Sequence, residues 1–171
     1  MEVVKGLDII LLYRLKRKAE EEEAWKMAFQ TEHESSMTRE AESTITKDGN
    51  VQSLNPIEYE LTATSLMAKG DAHIDEMKKA LIDGEVIEIW EINKAELGVD
   101  ENKDKYKATY YQGYVSEFTP SANAEDNVEL SLSFVINGIG QEGYASLTDK
   151  QAEVVQYTFT DTVANATTTE G

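Results

Sequence analysis

Side chains that could carry out chemistry are few in this chain. It contains two histidines, His33 and His73, and no cysteine. A zinc site of the His-Glu-x-x-His type needs a spacing that does not occur here. Without cysteine there is no thiolate nucleophile, no cysteine-based metal site and no disulfide. We therefore expect both histidines to be structural or solvated, and we expect neither a metal site nor a cofactor.

Carboxylates are abundant, but their spacing marks no site. The chain has 33 Asp and Glu, and the densest run is formed by the glutamates at 20–23. A calcium-binding EF-hand loop needs alternating acids, a central glycine and a terminal glutamate, and this run lacks that spacing. No pair of carboxylates is distinguished as a general acid and base. We expect no catalytic residues, and an enzyme is the weakest interpretation of the chain.

A glycine motif follows one of the predicted strands. Residues 138–143 read Gly-Ile-Gly-Gln-Glu-Gly, which matches the Gly-x-Gly-x-x-Gly pattern of dinucleotide-binding proteins. In those proteins the motif opens a long helix after a strand that is buried on both faces. Here the preceding strand has a polar face, and the residues that follow, 144–147, have the pattern of extended chain. The sequence therefore predicts a glycine-rich turn between two strands.

The charge balance argues against several classes of partner. Against the 33 acidic residues stand 16 Lys and Arg, which gives a formal net charge of −17. Binding to nucleic acid or to an anionic membrane requires clustered basic side chains. The N-terminal residues lack the pattern of a signal peptide, and no apolar run approaches the ~20 residues of a membrane span. We expect a soluble protein that is made in the cytoplasm and has no membrane anchor.

Alternating apolar residues predict a mainly β fold. In residues 128–136 every second residue is apolar, while Glu129, Ser131 and Ser133 begin a polar face on the other side of the strand. Similar alternation predicts strands at 25–29, 56–65, 86–92 and 106–118, and around Val155, Tyr157 and Phe159.

The first strand, residues 7–15, is apolar on both faces. Ile10 and Leu12 lie between the apolar residues of its first face. A strand of this kind must be covered on both sides, either by its own chain or by a neighbouring subunit.

One segment has helical periodicity. Ile74, Met77 and Leu81 follow Asp71, a good N-cap, at helical spacing, and Gly84 is well placed to end the helix. The sequence predicts a helix at about 71–83 beside a β-sandwich or barrel. We expect a single domain over residues 1–160 and a flexible C-terminal tail over 161–171.

A polar segment at about 34–53 has no apolar face of its own. Serine and threonine dominate it, and residues 47–50 favour a turn. A two-stranded hairpin alone is marginally stable in water. The segment is therefore either a surface loop or a hairpin arm that another subunit orders.

Several short segments, taken in their order along the chain, carry a family resemblance. They are Lys5-Gly6-Leu7-Asp8-Ile9-Ile10-Leu11-Leu12-Tyr13, Ala28-Phe29-Gln30-Thr31-Glu32-His33-Glu34, Thr46-Lys47-Asp48-Gly49, Glu88-Ile89-Trp90-Glu91-Ile92-Asn93, Lys107-Ala108-Thr109-Tyr110-Tyr111-Gln112-Gly113-Tyr114 and Asn123-Ala124-Glu125-Asp126. Together they resemble the major tail protein, or tail tube protein, of long-tailed phages with non-contractile tails. The resemblance extends over nearly the whole chain.

The resemblance implies a structural virion protein that is synthesised in the host bacterial cytoplasm. Copies of it would form hexameric rings that stack into a tube, enclose the tape-measure protein and conduct DNA through the bore without binding it specifically. Further partners would be the tail terminator and the distal tail or baseplate proteins. Contacts between subunits are expected from the polar segment and from the second face of the first strand, through Met37, Thr38, Arg39, Ile45, Thr46, Lys47, Val51, Ile10 and Leu12.

Two other interpretations remain open from the sequence. A tube protein of a contractile injection or secretion machine has the same architecture. A small ligand-binding β-barrel is the second alternative, because Tyr106, Tyr110, Tyr111 and Tyr114 could line a pocket, although alternating tyrosines usually pack at a sheet face or an interface.

Overall fold

The chain folds into a curled antiparallel sheet with a helix on one side. The computed structural model describes residues 1–152. Its strands and helices are β1 (Ile9–Leu15), β2 (Gln30–Thr38), β3 (Ala41–Thr46), β4 (Gly49–Leu54), β5 (Glu58–Leu66), α1 (Ala72–Asp83), β6 (Ile87–Leu97), β7 (Tyr106–Ser121), β8 (Glu129–Ile136), β9 (Gln141–Ala145) and the single turn α2 (Asp149–Ala152). This confirms a mainly β fold with one main flanking helix.

The strands form one large sheet and one small sheet. The seven-stranded sheet has the order β1-β6-β7-β8-β5-β2, and β9 pairs with the first part of β7. The two-stranded sheet contains only β3 and β4. Residues 137–140, which include Gly138 and Gly140, connect β8 to β9, and residues 141–143 of the glycine motif begin β9, so the predicted turn between strands is confirmed.

Strand β8 shows why the alternating pattern folds as it does. Leu130, Leu132 and Phe134 are buried in the core, while Glu129 is exposed and Ser133 is half-buried on the other face. Because successive side chains of a strand point to opposite faces, the period of two in the sequence becomes one apolar and one polar surface.

Side chains join the two edges of the large sheet. The side-chain amide of Gln30, at the start of β2, accepts a hydrogen bond from the Leu11 N–H at 3.2 Å and donates one to the Leu11 carbonyl at 2.7 Å. Nearby, the backbones of Tyr13 and Trp25 exchange two hydrogen bonds of 2.8 Å. The edge of β1 is thus partly satisfied without a neighbouring strand, and the sheet curls into an incomplete barrel.

The core lies on both sides of β1. Leu11, Tyr13 and Leu15 point into the main cluster, whereas Leu12 belongs to a second cluster with Ile92. Residues of the same chain, including Ala24, Ala145 and Leu147, pack against this second cluster. The prediction that β1 is covered on both faces is confirmed, and its own chain supplies the cover.

Helix α1 begins and ends at the predicted residues. The Asp71 side chain accepts a hydrogen bond from the His73 N–H at 3.0 Å, and Gly84 adopts a left-handed conformation with φ of 64°. Ile74, Met77 and Ala80 are buried against the sheet. Capping and periodicity therefore agree with the packing.

The strand predicted at 25–29 does not form, because Trp25 makes only an isolated bridge with Tyr13 and the alternation fails at Phe29. Trp25 and Met27 are buried, but Phe29 is 46% exposed and has a positive φ of 53°. This left-handed residue turns the chain before β2, so the ring points away from the core.

The C-terminal predictions lie outside the described residues. These are the last strand around Val155, Tyr157 and Phe159 and the tail at 161–171. The division into a domain at 1–160 and a tail stays a prediction.

Candidate functional site

The outward face of four neighbouring strands is acidic. Strands β2, β5 and β8 and the second half of β7 are adjacent in the sheet. Their exposed outward glutamates, which we call the acidic face, are Glu32, Glu34, Glu58, Glu60, Glu117 and Glu129. Neither these strands nor residues 114–121 contain a lysine or arginine. The face therefore carries charge of one sign.

The register of the strands makes this face continuous. Glu34 lies opposite Thr62, Thr62 opposite Ser133, and Ser133 opposite Glu117, so one polar row crosses all four strands. The Ser133 hydroxyl donates to a Glu117 carboxylate oxygen at 3.2 Å. Serine and threonine separate the glutamates, which reduces direct repulsion between them. The result is a wet, negatively charged surface on the side away from the core.

Among residues 1–152, no strand pairs with either border of the acidic face. Strand β2 ends the large sheet, and the pairing of β6 with β7 stops at Gly113. Beyond that glycine, residues 114–121 of β7 pair only with β8 among the described residues. An open strand edge presents unpaired backbone groups that another chain can pair with.

The polar segment forms a hairpin that extends from the body of the protein. All residues of β3 and β4 are exposed, and the two strands pair only with each other within residues 1–152. Lys47 and Asp48 form its turn, where the Thr46 hydroxyl donates to the Gly49 carbonyl at 2.7 Å. The predicted turn is confirmed, and a surface loop without regular structure is excluded.

The hairpin is shorter than the predicted range of 34–53. Residues 34–38 belong to β2 and pair with β5. His33 and Ser35 point towards Glu91 and hydrogen-bond to it, and the alternate residues Glu34 and Ser36 lie on the acidic face. At the base of the hairpin, the Asn55 N–H donates to the Glu40 carbonyl at 2.8 Å. We define the hairpin arm as Ala41–Leu54 with this base.

The residues predicted to contact other subunits fall into two groups. Most are exposed on the hairpin arm or at its base, namely Met37, Thr38, Arg39, Ile45, Thr46, Lys47 and Val51. Ile45 is 84% exposed. Ile10 and Leu12 instead pack in the second cluster, and Leu12 is only 2% exposed. A contact through Leu12 would require the covering residues of its own chain to move.

A half-buried polar pair connects β2 to β6. His33 Nε2 lies 2.9 Å from a Glu91 carboxylate oxygen, and the Ser35 hydroxyl donates to Glu91 at 3.1 Å. The hydrogen bond from His33 lowers the pKa of Glu91, although partial burial acts in the opposite direction. His33 has a structural role, as expected, and it helps to hold the open side of the barrel together.

Acid is expected to weaken this link. A carboxylate with a lowered pKa stabilises the fold above the pKa of the unfolded state, and this stabilisation is lost as the pH falls through the folded-state value. Glu91→Gln should therefore lower the free energy of unfolding at pH 7 by about 1–3 kcal/mol and flatten its dependence on pH below about 4.5. Urea unfolding across this pH range measures the effect.

The matched control is Glu34→Gln, which removes the same charge from the exposed face. It should change the stability by less than about 0.5 kcal/mol. Equal losses in the two variants would contradict a structural role for the pair of His33 and Glu91.

The tyrosines of β7 do not line one cavity. Tyr111 packs in the main cluster, whereas Tyr106 packs against the second cluster on the other side of the sheet. Tyr110 lies beside Trp90 with ring centroids 5.1 Å apart, and Tyr114 is exposed. The four tyrosines therefore do not form the pocket on which the alternative of a ligand-binding barrel was based.

The histidine of α1 belongs to no metal site within residues 1–152. His73 stacks on Trp25 with centroids 4.1 Å apart and interacts with Glu76, and this stretch contains no group of three or more side chains able to hold a metal ion. Within the same residues, no helix is long and apolar enough to cross a membrane.

A one-sided acidic sheet, open edges and a detached hairpin define a structural subunit that associates with copies of itself. Comparison with known proteins agrees with this class. Residues 3–142 match the family described as phage tail tube protein. A protein of Staphylococcus phage phiMR25, named "Putative tail protein", is 32% identical over 167 residues, which is 95% of this chain and 86% of that protein. The chain belongs to the phage tail tube protein family, and it is a structural component of the virion rather than an enzyme.

Solved structures share the fold. The SPP1 tail tube protein superposes with a TM-score of 0.78 at 22% identity, with 96% of each chain covered. A chain from the tail of an empty gene transfer agent particle, solved with C6 symmetry, has a TM-score of 0.61 at 12% identity and covers 84% of this chain and 100% of its own. At these identities the likeness concerns the fold.

Proposed function

We propose that this protein forms hexameric rings that stack into a non-contractile phage tail tube. The tube encloses the tape-measure protein during assembly, contacts the terminator and distal tail proteins at its ends, and conducts DNA during ejection. The observation that carries the proposal is the acidic face with an open strand edge on either side. The six-fold symmetry of the gene transfer agent tail supports the ring size.

Ring closure follows from the two open edges. Strand β2 of one copy pairs with residues 114–121 of β7 in the next copy, so that the acidic faces join into one closed sheet. Such a contact is head-to-tail, and it closes into a ring when the rotation between copies divides a full turn. It also satisfies backbone groups that a single copy leaves open.

The joined acidic faces form the wall of the bore. Each copy contributes the glutamates of that face, and β2, β5, β8 and residues 114–121 of β7 contain no lysine or arginine. DNA phosphates near such a wall are repelled rather than held, and at physiological salt this field extends about 8 Å from the wall. The other side of these strands faces away from the bore and packs on the core of the subunit.

Concentrated pure protein is expected to form hollow tubes in negative-stain electron microscopy. A Glu34→Lys/Glu60→Lys variant should form tubes of the same diameter that retain a short labelled DNA after sedimentation, because it places basic side chains on the wall of the bore. Wild-type tubes should retain little DNA.

The matched control is Glu20→Lys/Glu21→Lys, which makes the same change in net charge on an exposed loop away from the acidic face. If the two variants retained equal amounts of DNA, the acidic face would not line the bore. A wild-type protein that stays monomeric at every concentration would contradict the tube itself.

A further inference from the structure

The loop between β8 and β9 interrupts what would otherwise be one continuous strand. Both strands pair with the same edge of β7, because β6 occupies the other edge. Ile136, at the end of β8, pairs with Gly113, and Gln141, at the start of β9, pairs with Tyr110. Residues 137–140 therefore lie opposite only two residues of β7, and the surplus chain bulges out from the sheet.

The bulged loop is held at both ends and open in the middle. The Asn137 N–H donates to the Gln112 carbonyl at 2.7 Å. Gly140 lies against Tyr111, where an added Cβ atom would be 2.5 Å from the ring. Between these two points, Asn137 and Gly138 are exposed, and Gly138 has a left-handed φ of 64°. Apart from its chain neighbours, no atom lies within 4 Å of where a Cβ atom of Gly138 would be.

Asn137 and Gly138 form the only Asn-Gly sequence in the chain. In such a pair the backbone nitrogen of the glycine can attack the side-chain amide carbon of the asparagine, since glycine has no Cβ to obstruct the approach. The reaction requires that the asparagine side chain and the glycine N–H be free to move. Among residues 1–152, neither the Asn137 side chain nor the Gly138 N–H makes a hydrogen bond. The reacting groups are thus unrestrained in the folded protein and open to water.

We propose that Asn137 is a site of spontaneous deamidation. The Gly138 nitrogen loses its proton to water or hydroxide and bonds to Asn137 Cγ, and the Cγ–Nδ2 bond breaks to release ammonia. Water then opens the cyclic imide at either of its two carbonyl carbons. One product is aspartate, and the other is isoaspartate, in which the backbone runs through the former side-chain methylene. Overall, one water is consumed for each ammonia released.

Each copy of the protein thus changes with age at a defined position. Either product adds a negative charge to a chain whose net charge is already −17. Isoaspartate also lengthens the backbone between the Gln112 contact and Gly140. The bulged loop can absorb this extra length, because it already has more residues than the segment of β7 opposite. The modification therefore marks the age of a subunit without unfolding it, and it does not depend on the proposed tube.

Incubation of the purified protein at mildly alkaline pH, followed by mass spectrometry, tests the proposal. Cleavage after glutamate yields peptide 130–142, whose only asparagine is Asn137, and peptide 118–125, whose only asparagine is Asn123. Peptide 130–142 should gain the mass of an amide-to-acid conversion and separate into two forms by chromatography. A protein isoaspartyl methyltransferase should methylate one of these forms. The rate should rise with pH, because the glycine nitrogen must lose its proton.

Asn123 is the internal control, since it is also exposed but its side chain is held. Its Oδ1 accepts hydrogen bonds from the Glu125 and Asp126 N–H groups at 3.0 and 2.8 Å, and Ala124 follows it in place of glycine. We expect Asn123 to deamidate at least about tenfold more slowly than Asn137. Equal rates in the two peptides would overturn the proposal.

Comparison with the unfolded chain separates the effect of the folded loop from that of the Asn-Gly sequence itself. In guanidinium chloride the same protein gives the rate without tertiary restraint, and the folded protein should react within about tenfold of that rate. If the unfolded chain lost the Asn137 amide while the folded protein kept it, the loop would be rigid and the proposal wrong. Asn137→Gln should abolish the mass change, because the longer side chain closes a ring much more slowly. A mass change that persisted in this variant would assign the reaction to Gln141 instead.

Discussion

Leu132→Asp is expected to abolish the folded state. Leu132 is 2% exposed and packs in the main cluster between β5 and β7, opposite Ala63 and Phe118. A carboxylate at this position would be buried without a partner, at a cost of several kcal/mol, in addition to the lost burial of leucine. Since domains of this size are stable by about 5–15 kcal/mol, we expect loss of the cooperative melting transition in circular dichroism.

Ser131→Asp is the control for this substitution. It places the same side chain one residue earlier on β8, on the outward face that already carries Glu129. We expect a change in stability of less than about 1 kcal/mol. If Leu132→Asp melted normally, the assignment of core and outward faces on β8 would be reversed.

Removal of the hairpin arm is expected to abolish tube formation while the body of the protein stays folded. The arm contributes no buried residue, and its base is closed by the 2.8 Å hydrogen bond between Asn55 and Glu40. Glu40 can therefore be joined to Asn55 through two glycines in place of Ala41–Leu54. The melting temperature should stay within a few degrees of the wild type, and electron microscopy should show no tubes.

A control variant keeps the arm and changes its other face. Glu42 and Ser53 are cross-strand partners on the side opposite Ile45 and Leu54, so Glu42→Ala/Ser53→Ala preserves the apolar side chains. This variant should polymerise. Continued growth of tubes from the protein without the arm would show that assembly depends on the strand edges alone.

Much of the fold could be predicted from short segments. Alternation located β8, and the combination of Asp71, helical spacing and Gly84 located α1, because strand faces and helix caps depend on residues that are close in the sequence. The turn at Lys47 and Asp48 was predicted for the same reason. The scarcity of histidine and cysteine argued against an enzyme, and membership of the phage tail tube protein family confirms a structural role.

The predictions were weaker where a residue depends on distant neighbours. Residues 34–38 were assigned to the arm because they have no apolar face, yet they pair with β5 and present Glu34 outward. Phe29 fitted an alternating pattern, but a left-handed residue turns the chain there and brings Gln30 to the edge of β1. The neighbouring residues in the sequence predict neither the pairing of residues 34–38 with β5 nor the turn at Phe29.

Composition and local periodicity were thus enough to establish an acidic, β-rich chain with one capped helix, whereas the self-associating structural role was predicted from the resemblance to phage tail tube proteins. The acidic face and its open edges became visible only in the folded chain. Glu34, Glu60 and Glu117 come from three strands, and it is the pairing register between those strands that brings them to one surface. Alternation tells which residues share a face within one strand, but the order of strands depends on contacts between residues far apart in the chain.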